Sequence, residues 1–176
     1  MSKPLLPRHG PNFSINSDDY QYNNSMNIKK IWKFMLYVFS PIVLGTIVGF
    51  LTNTKDYRIV NKPIFSPPGW VFPVIWSIIY LLMGIGYYIA KNNGLDKEGE
   101  NNYLIQLILN LLWSFIFFSF EWYFIASLWI ILLLFFVIKM FKSFLITKKV
   151  AGYMQLPYII WLCIALYLAI GVTILN

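Results

Sequence analysis

Long apolar runs separated by short polar segments make up the chain from Phe34 to its end. Each run is about long enough to cross the ~30 Å hydrocarbon core of a bilayer as a helix that rises ~1.5 Å per residue. Glu121 interrupts the longest apolar stretch, which predicts a tight turn there. The pattern predicts an all-α integral membrane bundle of five transmembrane helices, at about residues 34–52, 71–90, 103–120, 122–138 and 150–175.

Two segments lack this helical pattern. Residues 1–28 are polar and interrupted by prolines, and they cannot bury enough apolar surface to fold alone. They are predicted to be a disordered tail, followed by a membrane domain over residues 29–176. The segment between the first two helices contains Pro63, Pro67 and Pro68. Because proline fixes φ and removes a backbone donor, this segment is predicted to be a long, ordered, non-helical loop.

The composition excludes a soluble protein. The chain is 59% hydrophobic and only 12% charged, whereas soluble domains carry about 25% charged residues. The net charge of +7 comes from basic residues near helix ends, so it indicates membrane topology rather than nucleic-acid binding. The single cysteine is Cys163 and the single histidine, His9, lies in the tail. Zinc sites, His-ligated haem and Ser-His-Asp catalysis are therefore not expected.

Lysines and arginines are unevenly distributed between the two predicted sides of the membrane. Most of them lie on the side that holds the N-terminal flank and the segments between helices 2 and 3 and between helices 4 and 5. The opposite side has Lys55, Arg58 and Lys62 in the loop between helices 1 and 2. The positive-inside tendency predicts a cytoplasmic N-terminus and an external proline-rich loop.

Three predicted helices each carry a face of aromatic, amide and small residues. Amides in hydrocarbon are costly unless partnered, so Gln106 and Asn110 are expected to face the bundle interior. They either bond to other helices or contact a ligand, and spacing alone leaves both open. Together the faces suit a large, flat, mostly apolar ligand. The faces comprise Trp76, Tyr80, Gly84 and Tyr87; Gln106, Asn110, Trp113 and Phe117; and Tyr158, Trp161, Ala165 and Ala169.

The first predicted helix contains a GxxxG motif at Gly45 and Gly49. Paired glycines allow two helix backbones to approach closely. The motif serves either packing within one chain or association of two chains, and the sequence leaves both open.

Three segments resemble the TspO/MBR family, which includes the mitochondrial translocator protein (the peripheral-type benzodiazepine receptor), and the chain looks like a bacterial-type member. They are KPIFSPPGWVFPVIWSIIYLLMG over residues 62–84, QLILNLLWSFIFF over 106–118 and LPYIIWLCIALYL over 156–168. The resemblance covers residues 34–176. It implies a five-helix bundle, often a homodimer in the bilayer, with a cavity closed over by the loop between helices 1 and 2.

The resemblance also implies a ligand and a site. Its ligands are porphyrins such as protoporphyrin IX, bound without a cofactor, and benzodiazepine- and isoquinoline-type hydrophobic molecules. For such a ligand, Lys55, Arg58 and Lys62 of the loop either offer charge to the porphyrin propionates or are ordinary solvated loop residues, and the sequence leaves both open. Because pocket tryptophans support light- and oxygen-dependent porphyrin breakdown in some bacterial members, Trp76 and Trp161 are also candidate catalytic residues. The positions that match the family are Trp70, Trp76, Asn110, Trp113, Trp161 and Ala165, and the helix faces described above add Tyr80, Gln106 and Tyr158 to the predicted ligand-binding residues.

The expected function is ligand binding with a role in tetrapyrrole handling or stress response. Transport of tetrapyrroles or other small solutes is an alternative, although the apolar runs contain no inverted repeat and no acidic or basic coupling site. Porphyrin degradation at the pocket tryptophans is another, with porphyrin as substrate. A scaffold role through the N-terminal tail is the fourth.

Overall fold

The computed structural model describes residues 17–52 and 60–176 and shows only helices and connecting turns within them. Lys55 and Arg58 lie outside the described residues. Within the described residues, five segments are long and apolar enough to cross a membrane, so the predicted five-helix, all-α integral membrane fold is confirmed. The helices are α1 (Ser17–Leu51), α2 (Val71–Asn92), α3 (Lys97–Ser114), α4 (Tyr123–Thr147), α5 (Lys149–Tyr153) and α6 (Leu156–Leu175).

Helix α1 begins earlier than its apolar run. It starts at Ser17, inside the stretch 1–28 that was predicted to be a disordered tail, and residues 1–16 lie outside the described part. Helix propagation adds one hydrogen bond per residue without a new nucleation cost. A polar segment joined to a membrane-spanning helix can therefore continue that helix.

Charged residues that were predicted to form loops lie within helices α3 and α4. Asp96 caps α3 by accepting a hydrogen bond from the Gly99 backbone N–H at 2.8 Å, so the helix begins at Lys97 rather than Tyr103. Helix α4 continues past residue 138 to Thr147. Lys139 pairs with Glu98 at 2.9 Å, so charged residues of α3 and α4 that were predicted to form loops meet each other across the two helices.

The predicted turn at Glu121 is confirmed. Helix α3 is followed directly by one π-helical turn, Phe115–Ser119, whose end is closed by the Phe120 N–H donating to the Phe115 carbonyl. Glu121 then adopts a φ of 56°, in the left-handed region. A left-handed residue lets the chain reverse within two residues and enter α4.

The last predicted helix is divided in two. Helix α5 ends at Tyr153, and α6 begins at Leu156 with Pro157 in its first turn. The N–H groups of a first turn have no intrahelical acceptor, so a proline there costs no hydrogen bond. Gln155 occupies the break and is fully buried. Its Nε2 donates to the carbonyl oxygens of Ala151 at 3.3 Å and Leu82 at 3.4 Å, which ties the break to α2.

Helix α4 lies at the centre of the bundle, against α3, α5 and α6. One face of α4 is almost completely buried, and the residues of this face follow one another at intervals of three or four positions. Because lipid is as apolar as these side chains, close packing rather than exclusion from water holds such helices together. This face comprises Ala126, Ile130, Leu133, Val137, Met140 and Phe144.

Helices α1 and α2 meet through glycines. A Cβ atom built on Gly84 would lie 2.7 Å from the backbone carbonyl oxygen of Tyr37 and from the Cα of Val38. A Cβ on Gly45 would overlap the ring of Tyr80, whereas one on Gly49 would meet nothing within 4 Å. At Gly45 the GxxxG motif therefore serves packing within one chain, and a homodimer stays a prediction from the resemblance.

These contacts predict opposite effects of alanine at two glycines. Gly84→Ala should destabilise the bundle by about 1–3 kcal/mol, because the neighbouring atoms are backbone and cannot rotate away. Gly49→Ala should be neutral or stabilising by up to about 1 kcal/mol, because alanine favours the helix and meets open space. Thermal unfolding of both variants in one detergent checks this. Equal melting temperatures would contradict the close approach at Gly84.

Candidate ligand cavity

A cavity of about 560 Å³ lies between α1, α2 and the end of α3. This volume is within the range of about 300–1,000 Å³ that is usual for small-molecule sites. Its described lining contains no charged side chain. The lining residues are Ile42, Gly45, Thr46, Gly49, Phe50, Thr52, Gly69, Phe72, Pro73, Trp76, Ser77, Tyr80, Ser114 and Phe118.

Aromatic rings on α2 and glycines on α1 shape this cavity. The rings of Trp76 and Tyr80 are stacked with centroids 5.4 Å apart and an interplanar angle of 28°. They lie one helical turn apart, so they present neighbouring ring surfaces on one face of α2. On α1, Gly45 and Gly49 contribute no side chain to the lining. The cavity therefore suits a flat, apolar molecule.

Most hydroxyl groups of the lining already donate hydrogen bonds within the protein, at 2.7 to 3.0 Å. These belong to Thr46, Thr52, Ser77 and Tyr80. The Trp76 indole N–H and the Ser114 hydroxyl hydrogen-bond to no other residue that the structure describes, and both line the cavity. A ligand can therefore meet two uncharged donors in this lining.

A buried polar network stands behind the cavity and joins α2, α3 and α6. Tyr80 Oη donates to Asn110 Oδ1 at 2.7 Å, and Asn110 Nδ2 donates to Tyr158 Oη at 2.8 Å. Tyr158 Oη in turn donates to Gln106 Oε1 at 3.0 Å, and Gln106 Nε2 contacts Met83 Sδ at 3.3 Å. Buried polar networks are rigid when every member is partnered. This network holds Tyr80 in its place in the cavity wall.

The predicted ligand contacts therefore fall into separate groups. Trp76 and Tyr80 line the cavity. Gln106, Asn110 and Tyr158 face the interior as expected, and the structure places them in the network rather than in the lining. Between the two alternatives that spacing left open for the amides, these contacts favour interhelical hydrogen bonds.

The remaining predicted contacts lie outside the lining. Trp113 is buried and its indole N–H donates to the Ala126 carbonyl at 3.2 Å. Ala165 is buried in the bundle. Trp161, the second candidate catalytic tryptophan, is also buried, and its ring touches Phe72. Trp70 is 69% exposed at the start of α2, directly after Gly69 of the lining.

Helix α1 contributes lining residues that its sequence did not mark as a site. Ile42, Thr46 and Phe50 of α1, and Thr52 directly after it, are ordinary membrane-helix residue types, and no uncommon residue type distinguished them. The glycine pair on the same helix was the available signal. The pair indicated close packing, but only the tertiary structure shows that, of the two glycines, Gly45 alone has a close neighbour.

The described part of the loop before α2 is fastened to the end of α6. The Asn61 N–H donates to Asn176 Oδ1 at 3.1 Å, and Asn176 Nδ2 donates back to the Asn61 carbonyl at 3.0 Å. The ring of Pro63 lies against Gly171, where a Cβ would be 2.5 to 3.1 Å from the ring atoms. Lys62 lies between these two contacts and is exposed. The loop is therefore ordered here and supplies Gly69 to the cavity.

Comparison with known proteins agrees with this architecture. A model of the TspO/MBR family matches residues 37–175. The chain is 32% identical over 153 residues to "Tryptophan-rich protein TspO" of Archaeoglobus fulgidus, which covers 86% of this chain and 99% of that protein. It is 35% identical over 149 residues to "Protein CrtK" of Rhodobacter capsulatus, a match that covers 81% of this chain and 92% of that protein. "Translocator protein homolog" of Schizosaccharomyces pombe is 27% identical over 165 residues, a match that covers 90% of this chain and 99% of that protein.

Proposed function

The chain belongs to the TspO/MBR family of multi-pass membrane proteins, and on that premise we propose that its cavity binds porphyrins, with protoporphyrin IX as the representative ligand. Benzodiazepine- and isoquinoline-type molecules, which are also flat and largely apolar, would occupy the same space. The physiological role would be tetrapyrrole handling or a response to stress.

One observation carries this proposal: an uncharged cavity of about 560 Å³ with the stacked rings of Trp76 and Tyr80 in its wall. Aromatic faces favour offset stacking with a planar π-system. Glycines at positions 45 and 49 reduce the bulk of α1 at the cavity. Both features favour a planar macrocycle over a branched aliphatic ligand.

The lining also predicts how binding depends on the charge of the porphyrin. A carboxylate costs several kcal/mol to bury without a counter-charge, and the described lining offers only neutral donors. The propionates of protoporphyrin IX would therefore lie at the mouth. Uroporphyrin, which has a carboxylate on every side chain of the ring, should bind about tenfold more weakly or worse.

The test is a titration of both porphyrins against the full chain in lipid nanodiscs, followed by quenching of tryptophan fluorescence. Trp76→Phe keeps an apolar ring but removes the indole that lines the cavity, and it should lose much of the quenching. Trp129→Phe is the matched control, because Trp129 donates to the Leu109 carbonyl on α3 and lies outside the lining. Folded protein that shows no quenching by protoporphyrin IX, or that prefers uroporphyrin, contradicts the proposal.

A further inference from the structure

A second cavity, of about 400 Å³, lies where the chain turns from α3 into α4, and it shares no lining residue with the cavity between α1 and α2. The turn joins two segments that are each long and apolar enough to cross a membrane. The second cavity is therefore expected at the level of the lipid headgroups rather than in the hydrocarbon. Its lining residues are Glu121, Trp122, Tyr123, Phe124, Ile125 and Thr173.

Glu121 gives this cavity a negative charge that no neighbour compensates. The side chain is exposed, and its carboxylate makes no hydrogen bond or ion pair with the residues that the structure describes. By contrast, Glu98 and Glu100 each pair with a lysine. The described lining also contains no basic side chain. The cavity therefore attracts a cation and offers no side-chain charge to an anion.

Aromatic rings adjoin this carboxylate. Trp122 is 55% exposed in the lining, and its ring packs against Phe120 with centroids 5.2 Å apart. A cation is attracted to the face of an aromatic ring, and most strongly to that of tryptophan. The Thr173 hydroxyl already donates to the Ala169 carbonyl at 2.8 Å, so it can only accept a hydrogen bond from a ligand. A carboxylate, a ring and an acceptor together suit an ammonium group.

Apolar side chains continue from this cavity toward the bilayer core. Helices α4 and α6 pack against each other, and both present exposed apolar residues next to the cavity. On each helix these residues are three or four positions apart, so they share a face. A soluble amine would leave this surface unused, whereas acyl chains can cover it. The residues are Phe124, Ile125 and Leu128 of α4, and Ile170 and Ile174 of α6.

We propose that the second cavity binds the headgroup of a phosphatidylethanolamine molecule. The ammonium group donates hydrogen bonds to the Glu121 carboxylate and lies against the Trp122 ring, and the acyl chains follow the exposed faces of α4 and α6. The phosphate lies beside the first turn of α4, where backbone N–H groups have no intrahelical acceptor. This site is independent of porphyrin binding, because the two cavities have no residue in common.

The experiment counts lipids bound to the full chain in detergent micelles by native mass spectrometry. Phosphatidylethanolamine should bind about threefold to tenfold more tightly than phosphatidylglycerol with the same acyl chains. Glu121→Gln should remove this preference. Glu98→Gln is the matched control and should keep it, because the Glu98 carboxylate pairs with Lys139 and lies outside the cavity. Equal binding of the two lipids by the parent, or a preference that survives in Glu121→Gln, overturns the site.

A second pair of variants covers the case in which Glu121→Gln does not fold. Glu121 has a φ of 56°, and aspartate and asparagine adopt this left-handed conformation more readily than other non-glycine residues. Glu121→Asp and Glu121→Asn therefore differ mainly in charge, and only the aspartate variant should prefer phosphatidylethanolamine. Equal lipid preferences in these two variants overturn the role of the carboxylate.

A competition arm separates a lipid from a soluble amine. Glycerophosphoethanolamine has the same headgroup without acyl chains, and it should not displace phosphatidylethanolamine at equal concentration. Displacement would overturn a lipid as the occupant. Trp122→Leu should weaken phosphatidylethanolamine binding about threefold and leave quenching by protoporphyrin IX in place, since Trp122 does not line the first cavity. Unchanged lipid binding by this variant overturns the contact with the ring.

Discussion

Gly49→Leu is expected to lose porphyrin binding by about tenfold to a hundredfold while the bundle stays folded. Gly49 lines the cavity, and a Cβ there meets no atom within 4 Å, so a leucine side chain can enter the space that the ligand would use. Leucine also favours a helix over glycine by about 0.8 kcal/mol, so the melting temperature should hold or rise. Quenching titrations with protoporphyrin IX and thermal unfolding of the same samples measure both effects.

The matched control adds bulk to the same helix outside the cavity. Ile47 is exposed on α1 and does not line the cavity, so Ile47→Phe should bind protoporphyrin IX as the parent does. Undiminished binding by Gly49→Leu, in a protein that unfolds normally, would move the ligand site away from the space between α1 and α2.

Tyr158→Phe is expected to destabilise the bundle by about 2 kcal/mol or more. The Tyr158 hydroxyl both accepts from Asn110 Nδ2 and donates to Gln106 Oε1. Its removal leaves two amide groups without these partners at a depth where water cannot replace them. Tyr80→Phe removes only the bond to Asn110 Oδ1, so it should cost about half as much. Unfolding in mixed detergent micelles gives the free-energy differences.

Tyr167→Phe is the control for the Tyr158 substitution. Tyr167 lies on the same helix, is 45% exposed, and makes no hydrogen bond to the described residues. Its hydroxyl should be removable at little cost. If Tyr158→Phe proved as stable as Tyr167→Phe, the network would contribute no net stability, and the amides would have to be satisfied in another way.

Local features of the sequence were enough to predict several elements correctly. Glu121 indicated the turn between α3 and α4. A single charged residue between two apolar runs is costly inside the membrane, so it is expected where the chain leaves the membrane and turns back. Asp96 and the charged residues after it were harder to interpret. A capped helix start and a polar loop share the same residue types, and only the Lys139–Glu98 pair across two helices distinguishes them here.

The candidate site was predictable on α2 and less so elsewhere. Trp76 and Tyr80 lie on one face of their helix, and the structure places both in the cavity wall. Trp113 and Trp161 follow the same spacing rules, yet their rings are buried against Ala126 and Phe72. Helical spacing tells which residues share a face, but the neighbour that covers a face is set by how the helices are arranged.

The sequence by itself determined the membrane environment, the five spanning helices and the interior position of Gln106 and Asn110. These follow from local hydropathy and from the cost of an unpartnered amide in hydrocarbon, which do not depend on the arrangement of the helices. The tertiary structure decided that Tyr80 and Tyr158 satisfy the amides, that Gly49 borders open space, and that the ring of Phe72 packs edge-on against Trp161. Each of these features depends on how the helices are rotated and spaced relative to one another, and that arrangement comes from the packing of many side chains at once.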